Sequence, residues 1–275
     1  MAYTEEEARG LIIEAGHRLL ETHLVARTWG NISARISDTE FLITPSGRAY
    51  ETLTEDELVR VRIDDLSYTG DIKPSSEKGI HADAYALRAD VDFAIHTHQL
   101  FASAVCASGE ELPTAPCAGY GLPGTEKLRG AVRDTIRAHP GQSAFLMARH
   151  GAFCLGETVE DAFRLAETLE ATCRDAFIKR TGIACEAGIV PAYCEKHRCL
   201  RAYIDDFAQL VGACAGIRDG AVVTGRSDDA EAVEMIVKKN CAAALYADGK
   251  KPLGLPDALV QRLVYVFKYS KLKGK

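Results

Sequence analysis

The run Val91-Asp92-Phe93-Ala94-Ile95-His96-Thr97-His98 constrains this chain more than any other stretch. Its aromatic and β-branched residues predict a strand, and on a strand residues two apart share a face. His96 and His98 therefore aim both imidazoles at one point. Such a pair is either polar-tipped core or two members of a metal site, and the pair alone does not decide. A third histidine, His150, stands directly before Gly151 in Ala-Phe-Leu-Met-Ala-Arg-His-Gly-Ala-Phe-Cys-Leu-Gly (144–156), which reads as two strands around a tight turn. Glycine lets the backbone turn there, so the His150 side chain can reach across. Three neutral imidazoles suit a borderline divalent ion such as zinc and leave a coordination position open for chemistry.

Two further patterns can serve the same cleft. Pro74-Ser75-Ser76-Glu77 opens a predicted helix with Ser75 or Ser76 as its cap. Hydroxyls among the unpaired N–H groups of a helix start make an anion site, and Glu77 can turn toward the histidines. The plainer alternative is an ordinary cap with an acid in the first turn. Thr28-Trp29-Gly30-Asn31-Ile32-Ser33 and Thr44-Pro45-Ser46-Gly47 are glycine-bearing turns in which Asn31 and Ser46 add donors. Such turns can cradle a phosphate without lysine, although each alone is only a turn.

Around these motifs the periodicity alternates between helix and strand. Residues 4–23 read as a helix with Thr4 as N-cap. Asn31 to Ile36, Glu40 to Thr44 and Leu58 to Ile63 read as strands, 99–109 as a helix, and 124–138 as a helix opened by Gly124-Thr125. A long helix runs from Val159 to Arg180. Short strands mixed with helices predict an α/β layered domain over residues 1–181. The extension, 182–275, carries helical patterns near 197–214, 228–247 and 256–269. Within it, Arg-Asp-Gly-Ala-Val-Val-Thr-Gly (218–225) repeats the layout of 149–156, with Asp219 in the place of His150. Each copy leads to an Asp-Ala helix start, Asp161-Ala162 and Asp229-Ala230. That echo is either a partial repeat of 149–177 or chance. Cys194-Glu195-Lys196-His197-Arg198-Cys199, with Cys185 nearby, matches no regular zinc module and reads as structural.

Charge and composition exclude some functions. The 275 residues carry a net charge of −6 with no basic stripe, so nucleic acid is not an expected partner. The Lys-rich end, 268–275, reads as a solvated tail. Charges interrupt every apolar stretch well before about 18 residues, so no membrane span is expected. The nine cysteines are dispersed and odd in number, and Met-Ala-Tyr-Thr-Glu-Glu-Glu at the start is unlike a signal peptide. The expectation is a cytoplasmic protein with reduced thiols.

Asn31-Ile32-Ser33, Ile43-Thr44-Pro45-Ser46-Gly47, Ser75-Ser76-Glu77, His96-Thr97-His98 and His150-Gly151 together resemble the class II aldolase/adducin family. Their order and approximate spacing match it over roughly residues 5–180, most of all its L-fuculose-1-phosphate aldolase branch. The resemblance implies a three-layer α/β/α fold with a mainly helical C-terminal extension. It implies a Zn2+, or another divalent ion such as Mn2+ or Co2+, held by His96, His98 and His150. Glu77 would ligate the resting metal and act as the base. Gly30, Asn31, Ser46, Gly47, Ser75 and Ser76 would hold the phosphate of a phosphorylated sugar. Tyr120 would protonate the aldehyde oxygen from a neighbouring subunit, in a homotetramer with sites between subunits. Thr125 reads as a helix cap only. The chain departs from the pattern between His98 and Tyr120, where it is shorter. Related readings on the same scaffold are a sugar-phosphate 4-epimerase, a methylthioribulose-1-phosphate dehydratase and a non-catalytic adducin-like module. The epimerases resemble a Ser-Ser-Asp pattern, and the longer Glu77 favours the aldolase.

Overall fold

The structure, a computed structural model, describes residues 2–25, 28–210, 215–225 and 230–267. Helix α1 (Glu5–Glu21) begins at Thr4, whose hydroxyl and Glu7 form a reciprocal capping box. Strands β1 (Asn31–Arg35), β2 (Glu40–Ile43) and β3 (Val59–Arg62) follow as an antiparallel meander. Next come α2 (Lys78–Leu87), β4 (Phe93–Thr97), α3 (Leu100–Cys106), the short β5 (Cys117–Ala118) and α4 (Glu126–Ala138). Strands β6 (Ala144–Met147) and β7 (Gly151–Gly156) form a hairpin leading into α5 (Val159–Thr181).

The seven strands form one sheet in the order β3-β2-β1-β4-β7-β6-β5, antiparallel except where β5 joins β6. Alternation along each strand sorts the side chains onto two faces. Phe41, Ile43, Ala94, Phe145, Met147, Phe153 and Leu155 face α2 and α4. Ile32, Ala34, Leu42, Phe93, Ile95, Ala152 and Cys154 face α1, α3 and α5. This is the α/β layering that the alternating periodicity predicts, in the three-layer α/β/α form that the family resemblance implies.

Beyond α5 come α6 (Ile189–Lys196), α7 (Asp205–Gln209), a hairpin of β8 (Ala215–Arg218) and β9 (Ala221–Thr224), then α8 (Ala230–Tyr246) and α9 (Leu255–Phe267). Ile189, Tyr193, Ile204, Phe207, Ile236, Leu245 and Ala258 join the same apolar cluster as α1, α3 and α5. The last two helices fall where the pattern places them. The helix expected over 197–214 does not form before Asp205, and residues 211–214 lie outside the described residues. Residues 201–203 are pinned instead: Asn240 donates to the Arg201 carbonyl and accepts the Tyr203 N–H, while Leu253 N–H reaches the Ala202 carbonyl. The echo of 149–156 becomes a hairpin, but with a different turn. Met147 pairs with Gly151 around residues 148–150, whereas Arg218 pairs with Ala221 around Asp219 and Gly220 alone. Both of the latter are left-handed, as a two-residue Asp-Gly turn requires. Asp229 and the Lys-rich end lie outside the described residues. No helix among the described residues is long and apolar enough to cross a membrane.

Candidate metal centre

Strand β4 lies between β1 and β7, with Asn31, His96 and Phe153 in register across the three. His96 shares the Ala94 face of β4, toward α2, where Glu77 sits at the helix start. Two glycines let the neighbours close on this strand. A Cβ on Gly30 would strike the His96 carbonyl, and one on Gly151 would strike that of Thr97. His150 follows Arg149, a non-glycine residue at φ 64. Such a conformation costs about 1–3 kcal/mol and persists where its surroundings hold it. Here Arg149 N–H donates to the Cys106 carbonyl at 3.0 Å, and its own carbonyl accepts Asp205 N–H at 2.8 Å.

Each of the three imidazoles donates outward through Nδ1. His96 donates to the Ala152 carbonyl at 2.8 Å, His98 to Asp206 Oδ1 at 2.7 Å and His150 to Asp205 Oδ2 at 3.1 Å. A carbonyl or carboxylate only accepts, so the protons sit on Nδ1 and the Nε2 lone pairs are left as ligands. Those atoms converge: His96 Nε2 and His98 Nε2 are 2.9 Å apart, and the three histidines' ligand atoms lie within 4.8 Å of one another. At that distance the two nitrogens either share a proton or close on one ion, and a third imidazole nitrogen converges beside them. The donor set therefore fits a divalent ion. Glu77 Oε1 stands 2.9 Å from His150 Nε2, and its Oε2 is 3.5 Å from His96 Nε2.

The electrostatics agree. Burial would raise the Glu77 carboxyl, but the facing His150 and His96 hold it well below the usual carboxylate range. Burial would lower His150, yet Glu77 and Asp205 push it up to about 10. The carboxylates that favour positive charge at His150 would equally favour a divalent ion on the three Nε2 atoms. Burial lowers His96 and His98.

Glu77 is itself aimed by a buried chain of neutral groups. Asn31 Nδ2 donates to Glu77 Oε2 at 2.8 Å, which turns Asn31 Oδ1 toward His81 Nε2. His81 must then carry its proton on Nε2, and burial pushes it down to about 3, so it stays neutral. Its Nδ1 accepts from Ser33 Oγ at 2.6 Å, and Ser33 in turn accepts from Tyr85 at 2.7 Å. Every donor direction follows from the carboxylate at the end.

The serine cap expected for α2 is displaced. Glu77 is the N-cap residue and makes no side-chain cap bond, and Ser75 Oγ accepts its N–H at 3.2 Å. The serines are held out of the helix because Ser75 N–H donates to the Thr44 carbonyl and Ser46 N–H to that of Lys73. Those contacts bring the turns together. Gly30, Asn31, Ser46, Gly47, Ser75 and Ser76 line one pocket with Glu77, His98 and His150. Asn31, however, spends its side chain on Glu77 and His81. Thr125 caps α4, accepting Leu128 N–H at 3.4 Å. Tyr120 stands apart from this pocket, its hydroxyl accepting from Gln261 Nε2 at 3.4 Å.

Asp205, Asp206, Lys239 and Gln261 were invisible to motif reading, yet they back the histidines. Lys239 Nζ bonds Asp206 Oδ2 and the His98 carbonyl, and Gln261 Nε2 donates to Asp205 Oδ1 at 2.6 Å. Two signals were available: His81 lies four residues beyond Glu77, and Lys239 falls three beyond Ile236 on the apolar face of α8.

The profile of the Class II Aldolase and Adducin N-terminal domain matches residues 10–177. A 5-methylthioribulose-1-phosphate/5-deoxyribulose-1-phosphate aldolase of Escherichia coli O45:K1 is 34% identical over 57% of this chain and 76% of its own. A 5-deoxy-D-ribulose 1-phosphate aldolase of Bacillus thuringiensis serovar kurstaki is 29% identical over 60% of this chain and 82% of its own. Among solved structures, an L-fuculose 1-phosphate aldolase superposes with a TM-score of 0.59 at 27% identity, covering 63% of this chain and 86% of that one.

Proposed function

The chain belongs to the class II aldolase and adducin family, and from that premise we propose a zinc-dependent aldolase that cleaves or forms a ketose 1-phosphate. The two halves would be dihydroxyacetone phosphate and an aldehyde. One observation carries the reading: the Glu77 carboxylate lies 2.9 Å from His150 Nε2, in the pocket that Gly30, Ser46, Gly47, Ser75 and Ser76 line. Base, metal ligands and phosphate-type turns share one cleft.

His96, His98 and His150 would hold the ion, which as a Lewis acid polarises the substrate carbonyl. Ser46, Ser75, Ser76 and the backbone beside Gly30 and Gly47 would take the phosphate and so fix the reacting carbon beside Glu77. In the condensing direction Glu77 accepts the proton from the carbon next to that carbonyl, and in cleavage it returns it. Asn31 keeps the carboxylate turned that way. Tyr120 is absent from the pocket of its own chain, which suits a part in a neighbouring copy's site. That role rests on a homotetramer, as the resemblance implies, in the cytoplasm.

For the sugar, the curated relatives carry names other than fuculose 1-phosphate, although a solved neighbour is an L-fuculose 1-phosphate aldolase. The curated relatives are named for 5-deoxyribulose and 5-methylthioribulose 1-phosphates. A five-carbon ketose 1-phosphate without a C5 hydroxyl is therefore the proposed substrate. Breaking its C3–C4 bond leaves dihydroxyacetone phosphate and a two-carbon aldehyde. The test is to offer 5-deoxyribulose 1-phosphate, 5-methylthioribulose 1-phosphate and L-fuculose 1-phosphate to the zinc-loaded protein and measure dihydroxyacetone phosphate. Release from the first two, faster than from the third, is expected. Water loss or epimerisation without release would overturn the aldolase reading.

A further inference from the structure

We infer that the C-terminal segment is a built part of the metal centre: Asp205, Asp206 and Lys239 are positioning residues that set the tautomer and aim of His150 and His98. This rests on the metal-centre reading above and extends it to residues beyond the 10–177 match.

Asp205 and Asp206 open α7 side by side, and each takes a different histidine. Asp205 Oδ2 accepts His150 Nδ1–H at 3.1 Å and Asp206 Oδ1 accepts His98 Nδ1–H at 2.7 Å. Neither carboxylate nor Lys239 has any exposed surface, so neither contact is an incidental surface pairing. Each second oxygen is also fixed. Gln261 of α9 holds Asp205 Oδ1, and Lys239 of α8 holds Asp206 Oδ2 while its ammonium also reaches the His98 carbonyl. Asp205 N–H, bonded to the Arg149 carbonyl, ties the start of α7 to the turn that presents His150. Three separate helices of the segment thus converge on two ligands. His96, by contrast, relies on the Ala152 carbonyl within the sheet.

The arrangement has a consequence that packing alone does not. A buried carboxylate on Nδ1 forces the proton there, leaves Nε2 as a lone pair and makes it a stronger donor to a metal; removing such partners costs about 10- to 100-fold in metal affinity. The two carboxylates are also compensated differently. Asp206 is neutralised by Lys239, whereas among the described residues the Asp205 carboxylate bonds, apart from His150, the neutral Gln261 amide. His150 is therefore the ligand backed by more net negative charge.

Metal-stripped full-length protein, titrated with Co2+ against a chelator and followed by visible absorption, tests this. Asp205→Ala should bind Co2+ at least about tenfold more weakly with an altered ligand-field band, and Asp205→Asn, which keeps an acceptor, should recover part of the loss. The pair Asp206→Asn with Lys239→Met removes both buried charges together, so that folding is retained, and should weaken binding less than Asp205→Ala. Melting of the metal-free variants gives a second reading: the stabilisation that Co2+ adds should shrink even where the metal-free melting point is unchanged. Affinities and bands equal to those of the unsubstituted protein would overturn the inference while leaving the metal centre standing. An unsubstituted protein that binds no Co2+ would overturn both.

Discussion

Two buried polar chains meet at the histidines, and they are made of opposite chemistry. From the sheet and α2, Tyr85, Ser33, His81 and Asn31 form a neutral relay ending on Glu77. From the C-terminal segment, Asp205, Asp206 and Lys239 bring charge into complete burial behind His150 and His98. The neutral relay needs no counter-charge, and its donors and acceptors can run only one way. The charged set is stable only as a set, because each buried ion relies on its partner. The first gives direction, the second gives charge. The first lies wholly within residues 10–177, which the family profile matches, and the second lies wholly beyond them.

Substitutions can break that contrast in graded steps. Removing a ligand, as in His96→Ala, should abolish metal-dependent cleavage, measured as loss of dihydroxyacetone phosphate release and of bound zinc. Lys239→Met should come next. It leaves Asp206 buried without its counter-charge, at a cost of about 3–5 kcal/mol in unfolding free energy, and the partner change Asp206→Asn should recover most of that. His81→Phe should act more mildly, since it frees the Asn31 amide without adding charge. A fall in kcat of about tenfold with melting and KM nearly unchanged is expected, because only the aim of the base is lost. If His81→Phe destabilised the fold as strongly as Lys239→Met, the division between the two chains would fail.

The smallest effect should come from Glu170, which lies outside both chains. Its half-buried carboxylate accepts the N–H groups of Phe101 and Ala102 at the start of α3, and desolvation pushes it up to about 7. Between its ordinary value of 4.5 and about 7 the folded state binds more protons than the unfolded one, so stability falls as pH rises. Glu170→Gln should flatten that fall, visible as a smaller loss of melting temperature from pH 4.5 to pH 7. An unchanged slope would place the buried charge elsewhere.

How far these features were legible follows from how locally they are encoded. Helix α1 is written in consecutive residues, a capping box followed by an apolar stripe, and it formed where read. The histidine pair was legible because strand alternation makes His96 and His98 share a face, while His150 joined them through the turn at Gly151 and the family resemblance. The Glu77 orientation was half legible: Ser-Ser-Glu reads as a cap until the 44–46 turn binds 73–75 and takes the serines away. Asp205 and Asp206 look like any acidic helix start, and their meaning arises only when α7 packs under the hairpin turn at Arg149. Residues 201–203 carry a helical pattern that hydrogen bonds from Asn240 and Leu253 override. Chain-distant contacts decided each of these, and no periodicity records them.

The central claim is that Glu77 moves a carbon-bound proton beside a metal that it is not needed to retain. Incubating zinc-loaded protein with dihydroxyacetone phosphate in deuterated water tests it without any aldehyde. The unsubstituted protein should exchange one C–H proton, and Glu77→Gln should lose that exchange while keeping its zinc. Exchange that persists in Glu77→Gln, or that is absent from the zinc-loaded unsubstituted protein, would contradict the claim.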